Sequence, residues 1–203
     1  MAKKPSIFII EDHPAVCDAL VSYLEGTGVW QISGTASSLE KTKELFAHNK
    51  SDILLLDIQL EDGLGLNIIP WLKQCLNQNE VLPIIAVYSA FDDFVHVSAA
   101  LGMGVKVYMC KRRSVKELEQ ALLKALDGVI YIDDTVQAKL NIAADKLSLL
   151  TKREAQILSM VSGGLSDREI AKNLGISFRT VQNILYCVFD KTGIRSRFEL
   201  QKL

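Results

Sequence analysis

The sequence predicts an α/β fold: a five-stranded, doubly wound parallel sheet followed by a second, smaller all-α domain. Two patterns lead to it. Five strand signals alternate with helical periodicity between residues 6 and 126, and all but the weak second one are nearly continuous apolar runs, as strands covered on both faces must be. Beyond residue 147 strand signals stop, and three short segments follow, each opening on Thr or Ser.

Residues 6–10 form the first strand, and residues 13–25 a helix with Val16, Leu20, Val21 and Leu24 inward, ended by Gly26 and Gly28. A weaker strand at 30–35 precedes a helix over 38–48 with Leu39, Leu45 and Phe46 inward. Residues 53–56 are the third strand and 66–76 its helix. Strand 83–88 with helix 92–101, and strand 105–109 with helix 115–126, complete five βα units near Gly128. Residues 1–128 are then the α/β domain, 129–146 a linker with one ordered turn or a helix over 135–142, and 147–203 the all-α domain.

At 203 residues, 49% apolar and with a net charge of -1, the chain has enough material for such cores. The short apolar run Ile7–Ile10 ends in Glu11 and Asp12, so neither a signal peptide nor a membrane span fits, and a cytoplasmic location is expected. Cys17, Cys75, Cys110 and Cys187 are scattered, without zinc-site spacing, and read as reduced packing residues. From Leu147 onward nine Lys/Arg face five Asp/Glu, against 14 and 19 before it, a split that suits an anionic partner for the second domain.

In a doubly wound sheet, ligands bind outside the carboxyl ends of the strands. There the first strand ends in Glu11 and Asp12, the third in Asp57, the fourth in Ser89, and the fifth, two residues on, in Lys111. Three carboxylates on the same edge of the sheet repel unless a cation sits among them, and an oxygen-only set suits Mg²⁺. Lys111 and the Ser89 hydroxyl add donors for an anion, which completes the parts needed to stabilise a phosphoryl group in transfer.

On the acidic pair, the aspartate after a leucine-rich strand, the Ser and the Lys, residues 5–127 resemble the receiver domains of bacterial two-component response regulators. The resemblance implies a flavodoxin-like sheet, Asp57 as acceptor of phosphate from a histidine kinase, and Mg²⁺ on Glu11, Asp12 and Asp57. It also implies that Ser89 and Lys111 bind the phosphoryl oxygens, and that Ser89 and Tyr108 switch position on phosphorylation. Two residues depart from the pattern: Glu61 stands where proline is common, adding charge near the pocket, and Val107 where glycine is frequent.

In the second domain Thr151 with Glu154 and Ser166 with Glu169 are capping boxes, Gly163, Gly164 and Gly175 stop the first two helices, and Ser177 caps the third. Helix, glycine turn and helix make a helix-turn-helix, whose second helix enters the major groove of double-stranded DNA. There Val181, Ile184, Leu185 and Val188 form the inward stripe. Phe178, Arg179, Gln182, Asn183 and Tyr186 form the reading face, with Arg179, Lys172 and Lys191 as phosphate contacts. The motifs L-T-x-R-E, G-L-S-x-x-E-I-A, L-x-I-S-x-x-T-V and R-x-E-L resemble the LuxR-type output domain, which adds Thr180 to the DNA-binding set. Gln182 and Ile184 stand where lysine and histidine are usual, so the helix carries less positive charge than its relatives, while Gln182 and Asn183 suit adenine edges.

Together the two resemblances imply the NarL/FixJ class: a cytoplasmic, phosphorylation-controlled transcription regulator, homodimeric on DNA, and not an enzyme beyond self-phosphorylation and slow autodephosphorylation. A second reading keeps DNA binding but puts the pocket under a protein or ligand signal, motivated by Glu61. A third, an aspartyl-phosphate phosphatase, lacks the acid two residues after the nucleophile, where Gln59 stands.

Overall fold

The computed structural model describes residues 3–75 and 81–193. Chain contacts divide it into two compact units, residues up to Val136 and residues from Gln137 onward.

In the first unit, β1 (Ser6–Ile10), α1 (Pro14–Gly26), β2 (Gln31–Ala36), α2 (Leu39–Phe46) and β3 (Ile53–Leu56) follow in order. A two-residue hairpin, β4 (Gln59–Leu60) with β5 (Gly63–Leu64), leads through a 3₁₀ turn into α3 (Ile68–Cys75). Then come β6 (Ile84–Ser89), α4 (Phe94–Gly102), β7 (Val107–Cys110), α5 (Val115–Leu126) and β8 (Tyr131–Ile132). The sheet is parallel, in the order β2-β1-β3-β6-β7-β8. All of β1, β3 and β7 is buried, which is why those strands read as unbroken apolar runs.

The sheet has six strands where five were expected. β8 lies within the expected linker and pairs Tyr131 with Val107 and Ile132 with Tyr108. Two residues are too short for a strand pattern, and tertiary bonds hold them instead. The Asp133 amide donates to the Tyr108 carbonyl at 2.9 Å, and the fully buried Asp133 carboxylate takes a two-point bond from Arg113 at 2.8 and 3.1 Å. It also accepts the amide and hydroxyl of Thr135, at the start of α6 (Asp134–Ser148). Burial pushes this carboxyl upward, but Arg113 and Thr135 outweigh it and bring its pKa down to about 2.

Local chemistry sets the helix bounds. Pro14 opens α1, where a missing amide costs nothing, and Ser114 and Glu117 close a capping box on α5. The helix expected at 66–76 begins in the 3₁₀ turn, and residue 76 lies outside the described residues. In α2 the inward residues are Thr42 and Phe46; Leu45, expected inward, is 40% exposed. The Thr42 hydroxyl bonds the Ser38 carbonyl, so it is buried without an unmet polar group.

The second unit packs α7 (Lys152–Ser162), α8 (Asp167–Leu174) and α9 (Phe178–Thr192) around Ile157, Val161, Ile170, Val181 and Val188. Thr151 and Ser166 form complete capping boxes with Glu154 and Glu169, and Ser177 caps α9 through the Thr180 amide. Gly175 takes the left-handed conformation, φ 63°, that ends α8 one residue before the turn into α9. All four cysteines are free. Among the described residues no helix is long and apolar enough to cross a membrane.

Candidate functional site

Strand order reverses between β1 and β3, and the polar residues gather at that edge. Main-chain bonds extend the ladder past the strand ends and fix their backbones: Glu11 N to Ala36 O at 3.0 Å, Asp57 N to Ile10 O at 2.9 Å, and Lys111 N to Ser89 O at 2.8 Å. Asp57 and Glu11 are 5% and 3% exposed. The Lys111 ammonium lies 2.6 Å from Asp57 Oδ2 and 2.7 Å from Glu11 Oε2, and the buried Ser89 hydroxyl donates to Asp57 Oδ1 at 2.5 Å. Desolvation works to lower the lysine pKa, but the bonds to Asp57 and Glu11 outweigh it and hold Lys111 above its ordinary value.

One ammonium does not satisfy three acids. The Asp12 side chain is 9% exposed, and its buried Oδ1 accepts no hydrogen bond; His13 Nδ1 lies 2.7 Å away but outside bonding geometry. Single donor atoms of Glu11, Asp12, His13 and Asp57 all lie within 4.8 Å of one another. An orphaned, desolvated carboxylate oxygen beside two further acids fits an oxygen-ligated divalent cation.

Tyr108 is fully buried, and its hydroxyl donates to the Phe91 carbonyl at 2.9 Å. Burial, with Asp93 nearby, pushes the phenol pKa up. The same Phe91 donates its amide to Ser89 Oγ at 3.5 Å, so one loop residue touches both expected switch side chains. Of the three acids near the hairpin, Asp57 is the buried one. Glu61 is exposed in the turn, and Asp62 accepts the Leu39 and Glu40 amides at 3.0 and 3.1 Å, fastening the hairpin to the start of α2.

On the second unit, α9 buries Val181, Leu185 and Val188, with Ile184 half-buried beside them. Phe178, Arg179, Thr180, Gln182, Asn183 and Tyr186 are exposed on it, as is Lys172 on α8. The Thr180 hydroxyl shares a 2.8 Å bond with Ser177 Oγ inside the cap. Lys191 is half-buried, and its ammonium lies 2.7 and 2.9 Å from the Glu154 carboxylate.

Residues 7–123 match the family model of the response regulator receiver domain, and residues 148–203 that of the bacterial regulatory proteins of the luxR family. The chain belongs to the response regulators. The response regulator protein VraR of Staphylococcus aureus (strain Mu3 / ATCC 700698) is 27% identical over 195 residues, covering 94% of this chain and 91% of VraR. The structure of the RcsB–DNA complex is similar with a TM-score of 0.73 at 21% identity, over 98% of this chain and 96% of that one. RcsB from Salmonella enterica serovar Typhimurium bound to promoter rprA gives a TM-score of 0.72 at 21% identity, over 98% and 96%. At such identity these structures speak for the fold.

In this response regulator Glu11, Asp12, Asp57, Ser89 and Lys111 form one cluster, with Tyr108 on β7, the strand that leads into Lys111. The R-x-E-L motif at 197–200 lies outside the described residues. One pocket residue was missed. A Cβ on Gly65 would lie 1.9 Å from the Asp57 carbonyl oxygen, and its amide donates to Ile58 O at 2.7 Å, so only glycine lets the chain turn back under the acid. A glycine two residues after another glycine, eight beyond an aspartate, was the available signal.

Proposed function

We propose that this response regulator is a DNA-binding transcriptional regulator controlled by transfer of phosphate from a histidine kinase to Asp57. The observation that carries the reading is the pairing at Asp57: a lysine on one oxygen and a hydroxyl on the other, at a strand end beside Glu11 and Asp12. An Asp57 oxygen attacks the phosphorus of a phosphohistidine; the N–P bond breaks, its electron pair stays on the imidazole, and an acyl phosphate forms. Glu11, Asp12 and Asp57 would hold Mg²⁺, which would neutralise the phosphoryl charge. Lys111 and Ser89 orient the carboxylate beforehand, and their donors pass to the phosphoryl oxygens afterwards.

The loop from Ala90 to Asp93 follows Ser89, because Phe91 bonds both Ser89 and Tyr108. That is the route by which added charge reshapes the receiver surface and favours a DNA-bound dimer. Relatives support the output: one solved RcsB structure is a complex with DNA, and another holds two RcsB dimers on two parallel DNAs. In our reading Arg179, Thr180 and Lys172 contact phosphates, Gln182 and Asn183 meet base edges, and Phe178 and Tyr186 pack on thymine methyl groups or sugars. Lys191, paired with Glu154, braces α7 against α9 instead. The chain works in the cytoplasm, where its kinase and DNA meet.

A second reading, control of the pocket by a protein or ligand signal, is favoured by Glu61, an exposed carboxylate in the turn four residues past Asp57. The test is incubation with Mg²⁺ and acetyl phosphate, followed by mass mapping and DNA-shift titration. Phosphate on Asp57 and tighter DNA binding, both lost in Asp57→Asn, are expected. No phosphate on Asp57, with unaltered DNA binding by Asp57→Asn, overturns phosphorylation control in favour of the second reading.

A further inference from the structure

The pocket holds one donor that phosphotransfer does not use. His13 is the N-cap residue of α1, yet its ring makes no capping bond to the helix. Its Nδ1 instead points to the acids, 2.7 Å from Asp12 Oδ1 and 3.2 Å from Glu11 Oε1. The Glu11 approach is a hydrogen bond in one tautomer; the closer Asp12 approach is not a bond, and leaves Oδ1 buried without a donor. In the tautomer that leaves Nδ1 without a proton, its lone pair and Asp12 Oδ1 are spaced as neighbouring ligands of one ion: donors about 2.1 Å from a cation and at right angles stand about 3.0 Å apart. Leaving Oδ1 without any partner costs the full desolvation of that oxygen, which an ion would offset.

The imidazole changes which ion is preferred. Carboxylates suit hard Mg²⁺, whereas an imidazole nitrogen adds little for Mg²⁺ and much for Ni²⁺, Cu²⁺ or Zn²⁺. The His13 side chain is 68% exposed, so it can turn its Nδ1 lone pair to an ion without unpacking the core. We propose that His13 Nδ1 joins Glu11, Asp12 and Asp57 as a fourth ligand, making this pocket a mixed nitrogen–oxygen site. Such a site takes imidazole-preferring first-row ions in competition with Mg²⁺. The proposal rests on the pocket being a divalent-cation site and states which ions it selects.

Calorimetric titration of the untagged full chain with MgCl₂, and separately with NiCl₂, tests it in wild type, His13→Ala and Asp12→Asn. His13→Ala weakens Ni²⁺ binding roughly tenfold or more and leaves Mg²⁺ binding within about twofold, which also reports an intact pocket. Asp12→Asn weakens both ions. With Cu²⁺, electron paramagnetic resonance shows nitrogen coupling that disappears in His13→Ala and persists in His48→Ala and His96→Ala. Ni²⁺ affinity unchanged in His13→Ala overturns the inference and leaves the Mg²⁺ pocket standing. Equal loss of both ions in His13→Ala makes His13 a structural residue and also overturns it. Failure of wild type to bind Mg²⁺ overturns the pocket reading itself.

Discussion

The receiver pocket and the exposed face of α9 carry their chemistry in opposite ways. In the pocket the working groups are buried, so each needs a partner: Asp57 has Lys111 and Ser89, Glu11 has Lys111, and Asp12 Oδ1 is the exception. On α9 the proposed contacts are solvated and interchangeable with any polar helix face; the buried stripe and the caps specify the fold instead. A buried functional site is tied to stability, whereas a solvated one is free of it, and mutations should separate the two.

The largest expected effect is at Gly65. In Gly65→Ala the new methyl meets the Asp57 carbonyl oxygen at 1.9 Å, a methyl against main chain with no flexible side chain to yield. Overpacking of this kind costs about 3 kcal/mol. The unfolding midpoint of the first unit in urea should fall accordingly, and phosphate incorporation should fall with it. An Ala variant as stable as wild type breaks the link drawn between pocket and fold.

Lys111→Met comes next. It leaves the buried Asp57 and Glu11 carboxylates facing each other without their partly exposed ammonium, a loss of about 2–3 kcal/mol. Mg²⁺ should restore part of that stability in thermal melts, and more of it than Mg²⁺ adds to wild type. An equal Mg²⁺ response in both proteins would remove the cation from the account.

Acid should act on the same unit through Asp133. Its folded pKa of about 2 lies below the ordinary carboxylate value, so the bond to Arg113 stabilises the fold fully above about pH 4 and is lost as pH falls towards 2. The contribution is at most about 2 kcal/mol. Asp133→Asn should lower stability at pH 7 and flatten the decline between pH 4 and 2, read from urea midpoints across that range.

How much of this was legible beforehand follows the same division. β1, β3 and α5 stand at the residues their apolar patterns predicted, and the three caps of the second unit were plain because capping needs particular side chains at particular spacing. The pocket cluster was legible because charges at the ends of apolar strands require an explanation. β8 was not, since two residues carry no period and a long-range Arg113–Asp133 bond holds them. Gly65 was hidden because its constraint is a backbone contact made by folding. Leu45 was misplaced because periodicity counts methyls and overlooks that Thr42 buries its hydroxyl on Ser38.

In the second unit, Thr151→Ala removes the cap that holds the Glu154 amide, at a cost of about 1 kcal/mol. Differential scanning calorimetry should show a lower second-unit transition with the first unit unmoved. A shift in both transitions would contradict the independence of their cores.

The smallest stability change is expected where the functional change is clear. Gln182 is exposed on α9, one residue past buried Val181, so Gln182→Ala should stay within about 0.5 kcal/mol of wild type in urea. If its amide pairs with an adenine edge, the same variant loses about 1–3 kcal/mol against the preferred operator and almost nothing against unrelated DNA. Lys172→Ala, a phosphate contact, should weaken both DNAs alike and reduce the salt dependence. Val181→Ala supplies the opposite case, lowering stability by about 1–2 kcal/mol through its cavity while leaving the surviving folded fraction able to bind. Gln182→Ala losing stability, or losing affinity equally for every sequence, would move this residue out of the reading face and leave Asn183 and Arg179 to account for specificity.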